Sequence, residues 1–222
     1  HEIRCKANRL PEQEICLAGE LPNLDGLISV CCIGPSDPEA PSGSLVNIGQ
    51  GLASKKGKIR QLSTSAPQVN VAKCYRCRRC VRICPTHAIS IVKDRVVIDA
   101  RKCIQCGKCV ETAHLGGITY NWNATTEHYD TMVARHAKGA LDILGQKVIC
   151  VNIIVRDKGQ GDVFAGGVIS HNPVAVDCAT ADLCEDEGLL SQDPIDRLKR
   201  RVRVAELEGV ATASYALETV AY

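Results

Sequence analysis

Aromatic residues are nearly missing from this chain of 222 residues, which has five Tyr, one Trp and one Phe. A core built on large rings is excluded, so it must be assembled from Val, Ile, Leu and Ala. Net charge is also small, with 27 Lys and Arg against 25 Asp and Glu. No bulk electrostatic attraction to nucleic acid or a membrane surface follows from that balance, and neither is expected as a partner. Long apolar runs are lacking. The longest, Val148 to Val155, is broken by Asn152, falls far short of the roughly 20 residues of a membrane helix, and reads as a buried strand. The opening His1-Glu2-Ile3-Arg4-Cys5 carries neither an initiator Met nor an apolar signal core, and a truncated N-terminus is expected. Hydrophobic (45%) and charged (23%) fractions are ordinary, which excludes disorder as the main state. The length suits one domain with an insertion or two small ones.

Cysteine is what the chain has in excess, with fourteen. Cys74, Cys77, Cys80 and Cys84 fall within eleven residues, and Cys103, Cys106 and Cys109 within seven. Disulfide frameworks spread cysteines to close useful loops, whereas metal sites cluster them. A chain of this size also needs no disulfide staples. The clustering favours a metal site, and reduced thiols place the chain in the cytoplasm by expectation.

Leu24 to Ile33 reads as a strand leading into a Pro- and Gly-rich loop over 34–44. Residues 45–70 combine Gly49, Gly51 and Gly57 with Lys55, Lys56 and Lys58. They match no Walker pattern and read as a flexible basic connector. Residues 71–120 hold an internal repeat, because the pattern from Cys74 through Cys77, Cys80 and Cys84 to Ile89 returns 29 residues later from Cys103 to Ile118. Ile89 to Asp99 reads as a hairpin round Lys93-Asp94-Arg95. Tyr129, Met132, Val133, His136, Ala140 and Ile143 mark one face of a helix over 125–144. Lys147 to Val155 and Val163 to Ser170 read as strands joined by a turn at Gly159 and Gly161. Pro173 opens a helix that runs to Glu187 and stops at Gly188. A basic stretch, Arg197 to Arg203, precedes the final segment. Strand, helix and strand outside the repeat predict α/β architecture.

The first run, C-x2-C-x2-C-x3-C-P, is the bacterial ferredoxin signature for a [4Fe–4S] cluster, in which each run's fourth cysteine serves the other run's cluster. Soft thiolates suit iron–sulfur metal. Zinc is the competing reading, though zinc motifs space their ligands as separated pairs. By the exchange rule Cys84 completes the set Cys103, Cys106 and Cys109. Cys74, Cys77 and Cys80 wait on position 113, which is Ala. That site is a [3Fe–4S] cluster, a [4Fe–4S] cluster with an open or differently ligated iron, or it is lost. His114, Glu111 and a distant cysteine are the replacement ligands to consider. Lys73, Arg76, Arg78, Arg79 and Arg82 crowd the first triplet; either cationic surroundings raise a potential there and an acidic redox partner docks, or they form a plain solvated basic face. Cys5, Cys16, Cys31, Cys32, Cys150, Cys178 and Cys184 form no ligand pattern and read as core or loop thiols, Cys150 and Cys178 as small core residues and Cys31-Cys32 as a structural pair at a strand end where sites often lie.

Three further segments resemble the DUF362 family of iron–sulfur proteins. They run from Asn47 through Gly49, Gly51, Ala53 and Ser54 to Gly57 and Lys58; from Ser170 through Pro173 to Asp177, continued by Ala181-Asp182-Leu183; and from Ala205-Glu206 to Tyr215 and Leu217. The resemblance implies an α/β body with an inserted bacterial two-cluster ferredoxin-like (α+β) module. Residues 1–70 and 121–222 would form the body and 71–120 the module. The chain departs from the family at Cys31-Cys32, where a His and a Lys are usual. It departs again at Asn172, at Ala113, and in lacking a Cys-Asp-Cys element near Gly161-Asp162-Val163. An iron–sulfur electron-transfer protein is the leading expectation. The alternatives are a redox or lyase-type enzyme working at the open cluster, and a degenerate homologue with a purely structural cluster. No catalytic constellation is legible; His171, Asn172, Asp177 and Asp182 are the nearest candidates.

Overall fold

The computed structural model describes residues 2–5, 15–34, 42–157 and 162–219. The elements are β1 (Glu2–Cys5), β2 (Ile15–Ala18), β3 (Leu27–Ile33), α1 (Gly43–Val46) running into a π-turn (Asn47–Gly51), α2 (Lys55–Leu62) and β4 (Gln68–Val69). Next come α3 (Arg79–Ile83), β5 (Ile89–Val92), β6 (Arg95–Ile98), α4 (Lys108–Thr112) and β7 (Ile118–Thr119). The chain ends with α5 (Thr126–Leu144), β8 (Val148–Asp157), β9 (Asp162–Ser170), α6 (Pro173–Asp186) and α7 (Gln192–Leu207). Two compact units result, one from residues 1–53 with 130–222 and the other from 54–129. The boundaries expected at 71 and 120 both lie inside the second unit.

The first unit is built on a three-stranded sheet in the order β3-β8-β9, with β3 parallel to β8 and β8 antiparallel to β9. Alternation along β3 turns Ser29, Cys31 and Ile33 inward and Ile28, Val30 and Cys32 outward, the period of two that a pleated strand imposes. Helices α1 and α6 pack on this sheet. The core joins Leu17, Leu45, Ile48, Val148, Cys150, Ile154, Val174 and Val202 with Ala134, Ala137 and Ala140. No buried hydrophobic residue of the described chain is aromatic, as the scarcity of rings requires. Small residues on α5 let its backbone approach closely. His136 on that helix is fully buried. Its Nε2 accepts from the Cys16 N–H (3.3 Å), so its proton sits on Nδ1 and is donated to the Met132 carbonyl (2.7 Å).

Two polar knots are buried in this unit. The Asp177 carboxylate accepts from Ser44 N–H (2.7 Å), Leu45 N–H (2.9 Å) and the Asn152 amide (2.8 Å). Gly43 sits beside it at φ +67°, where an added Cβ would come within 2.6 Å of the carboxylate. Only glycine fits there, by both conformation and room. Asp130 accepts from the Nε of Arg200 (2.8 Å) and of Arg201 (3.2 Å), and Arg201 also donates to the Ser42 carbonyl.

One expectation is corrected. The flexible connector over 45–70 is instead largely helical, with Leu45, Ile48, Ile59 and the Lys56 side chain buried. Ser54 starts α2 by accepting from Gly57 N–H (3.3 Å), an N-cap that the glycine count masked. The basic stretch Arg197 to Arg203 belongs to the sixteen-residue helix α7, whose Ile195, Leu198, Val202 and Ala205 are buried at three- and four-residue steps. Glycines 159 and 161 and most of the 34–44 loop lie outside the described residues.

Candidate metal centre

The second unit carries the sequence repeat as a backbone repeat. Five-residue helices α3 and α4 occupy matching places, and each is preceded by a residue in the left-handed region, Arg78 (φ 59°) and Gly107 (φ 76°). Arg76 (φ 53°) matches Gln105 (φ 56°), and His87 (φ 50°) matches Gly116 (φ 74°). These turns curl the backbone between cysteines so that successive thiols face one side. Such φ values are costly for residues with a Cβ. At Gly107 a Cβ would in addition lie 2.5 Å from the Tyr120 hydroxyl and 2.9 Å from Ile59 Cδ1. The hairpin β5–β6 forms in the expected place, pairing Ile89 with Ile98 and Val92 with Arg95. It contributes to a small core of Ile89, Val96 and Ile118 that includes Cys80 and Cys109.

Cys84 parts from its own run. It lines a concavity of about 340 Å3 together with Cys103, Cys106 and Cys109. Cys74, Cys77 and Cys80 line another, of about 360 Å3, together with Ala113 and His114. Ala113 repeats the backbone of Cys84 closely, with φ −71°, ψ 123° against φ −70°, ψ 113°. What the first site lacks is therefore a sulfur atom on a backbone already in position. The first site is also the more open of the two, because Cys77 is exposed whereas Cys103 and Cys106 are half-buried.

The thiols differ electrostatically. Burial, then the neighbouring Cys103 and Cys106 thiols, push Cys109 up to about 11. Burial followed by the Cys74 and Cys77 thiols likewise raises Cys80, and burial followed by the Cys106 and Cys84 thiols raises Cys103. Cys84 is the exception. Burial raises it, but hydrogen bonds from the backbone of Thr86, Ala88 and Ile89 and from the Thr86 side chain outweigh that and bring it below the ordinary thiol value. The Ala88 N–H lies 3.2 Å from its sulfur. Crowded thiols that repel one another when ionised are relieved by bound cationic metal, which deprotonates its thiol ligands outright. Among the described residues no three His, Cys, Asp or Glu converge on one point as ligands of a single ion. Two walls of soft donors round two similar hollows fit a cluster that brings its own iron and sulfide.

Glu111 does not line the first hollow; its carboxylate pairs with Lys55. His114 does line it, exposed, with Nε2 against the Arg79 guanidinium. Lys73, Arg76, Arg78 and Arg79 line it as well, while Arg82 is exposed at the end of α3. The body residues singled out in sequence are engaged separately. His171 Nδ1 bonds the Val148 carbonyl (2.6 Å). Asn172 caps α6 through Oδ1 and donates from Nδ2 to the Thr212 carbonyl (2.8 Å). Asp182 accepts from the Tyr215 hydroxyl (2.7 Å) and faces Lys199. The thirteen cysteines from Cys16 onward are all free thiols. Cys16, Cys31, Cys150 and Cys184 are buried, and Cys178 is half-buried.

The family model of the 4Fe-4S dicluster domain matches residues 73–116. No curated protein and no solved structure matches the chain. The protein is thus of mixed α/β architecture and contains a ferredoxin-type 4Fe-4S domain that binds iron–sulfur. No helix among the described residues is long and apolar enough to cross a membrane.

Proposed function

We propose that the protein is a single-electron carrier with two cluster sites of unequal completeness. Cys84, Cys103, Cys106 and Cys109 hold a complete [4Fe–4S] cluster, and Cys74, Cys77 and Cys80 hold a second cluster without a fourth protein thiolate. The observation that carries this reading is the cavity Cys84 shares with the other run's triplet. When bound, such clusters take up and release one electron at a time. The chain's own part is to fix the thiols, to aim the Ala88 N–H at the Cys84 sulfur, and to surround the first site with cations. Both N–H bonds to sulfur and positive charge favour a reduced, more anionic cluster. The exposed Lys73, Arg76, Arg78 and Arg79 suit an acidic redox partner. In this proposal the iron–sulfur module is an insert in a DUF362-like body, working in the cytoplasm. The electron-carrier reading is preferred to an enzyme in the body because His171, Asn172, Asp177 and Asp182 are each committed to structural bonds.

Anaerobic purification with iron, acid-labile sulfide and zinc analysis tests this reading. Reversible one-electron reduction of a brown protein with about seven to eight irons per chain is expected, the sum of a complete cluster and a three- or four-iron partner. A folded, colourless protein loaded with zinc would sink it.

A further inference from the structure

The corner below Ala113 has a backbone placed for a ligand and a side chain that cannot be one. His114 is the nearest alternative donor, and its bonding argues against that role. The Arg79 guanidinium has only N–H donors, so the His114 Nε2 it meets must be the accepting nitrogen, with the ring proton on Nδ1. A lone pair held by a guanidinium is not offered to iron. Glu111 is taken by Lys55. The hollow is still lined by Cys74, Cys77 and Cys80 with Ala113 at the vacant place. Its wall presents Lys73, Arg76, Arg78 and Arg79 and no carboxylate. Beside it, sharing Cys74 and Arg76, lies a wider cleft of about 570 Å3 with Lys93 and Arg95 on its rim and Asp94 as its lone acid. The four-thiol site has one basic lining residue, Lys108.

We propose that this corner is an exchangeable site for a small carboxylate anion. The carboxylate is the fourth ligand of the cluster on Cys74, Cys77 and Cys80, and Arg79 is its recognition residue. The proposal rests on the two-cluster reading above and specifies what completes the first site. Arg79 matches a carboxylate in shape and charge, offering paired donors in a plane. It is exposed and only its Nη1 meets His114, so the Nε and Nη2 edge of the guanidinium remains to take an incoming anion while His114 stays held. With the cluster bound, the anion held by Arg79 would replace a solvent ligand there, a ligand exchange with no change of oxidation state.

The test uses the full chain with both clusters loaded anaerobically. Malonate is titrated at constant ionic strength, with chloride as the control, and the EPR spectrum of the reduced protein is followed. A saturable shift of one cluster's signal with malonate and none with chloride is expected. Ala113→Cys should abolish the shift by filling the corner. Arg79→Gln should weaken the apparent affinity about 10-fold or more, the usual loss for one charge-assisted bond. His114→Ala should leave the spectrum without malonate unchanged. If His114→Ala alone alters that spectrum, His114 is the ligand and the proposal falls. A loaded first cluster that ignores malonate in wild type overturns the proposal while the two-cluster reading stands. A wild-type chain that loads only about four irons overturns both.

Discussion

Replacing Asp177 by Ala should cost the body about 3 kcal/mol. The carboxylate is the acceptor for Ser44 N–H and Leu45 N–H at the start of α1 and for the Asn152 amide on β8. Ser44 and Leu45 are fully buried, so water does not replace what is removed. A stranded buried donor costs roughly 1–3 kcal/mol, which gives about 2–6 kcal/mol for the two backbone groups. Asn152 retains its bond to the Thr180 hydroxyl (3.0 Å) and adds little. Opposing this, the mutation removes a carboxylate whose burial is itself unfavourable; that burial raises its pKa despite the bonds from Asn152, Leu45 and Ser44 and the charge of Arg201. The net effect falls in the lower half of the range. Far-UV circular dichroism in urea reports it well, since α5, α6 and α7 belong wholly or mainly to this unit. With a slope of about 2 kcal/mol per molar urea the midpoint should fall by about 1.5 M. A drop below about 0.5 M would refute the claim that this carboxylate organises α1. The pH dependence has a definite sign. Because the folded pKa is raised, the folded state holds more protons than the unfolded one between about pH 4 and the raised value. Stability therefore falls as the pH rises through that window, and Asp177→Ala should remove that slope.

Asn172→Ala should destabilise α6 by about 1–2 kcal/mol in the same urea assay, since its Oδ1 caps Val174 and Ala175. Asn172→Asp keeps the cap but sets an acceptor against the Thr212 carbonyl, and should cost less than Ala. Gly107→Ala should lower the urea midpoint by about 1–3 kcal/mol equivalent, because it adds a Cβ at positive φ against Tyr120 and Ile59. Trp122 fluorescence reports it, since that ring stacks on Tyr120. Burial and the Asp177 charge push Cys150 up to about 12, and burial pushes Cys184 up to about 11. Alkylation at pH 8 with mass mapping should therefore spare both in the folded protein and, among the cysteines outside the repeat, label exposed Cys32 first; early labelling of Cys150 would contradict its place in the core.

Much of the framework was legible because it follows from periodicity. The strand at Val148, the helix carrying Met132, Val133 and His136, and the Pro173 helix start all lie within a few residues of expectation. Helix α7 was not read from the sequence, although Ile195, Leu198, Val202 and Ala205 keep helical spacing; that stretch was noted only for its charge. The helices over 43–62 were missed because glycine density outweighed the Leu45, Val46 and Ile48 pattern and the Ser54 cap. At the metal centre, spacing pointed to the seven cysteines. It could not show that Ala113 keeps the Cys84 backbone, that Glu111 is taken by Lys55, or that His114 faces Arg79. Those facts depend on side chains that meet only after the two runs fold together, and local sequence carries no sign of them.

The central claim is that Cys84 serves the other run's cluster. Its most direct test is to compare the EPR spectra and iron content of Cys84→Ser, Cys106→Ser and Cys77→Ser, each reconstituted anaerobically. The account predicts that Cys84→Ser reproduces the spectrum of Cys106→Ser, losing or altering the same signal and keeping the one that Cys77→Ser removes. A Cys84→Ser spectrum that matches Cys77→Ser instead would place Cys84 on its own run's cluster and contradict the account.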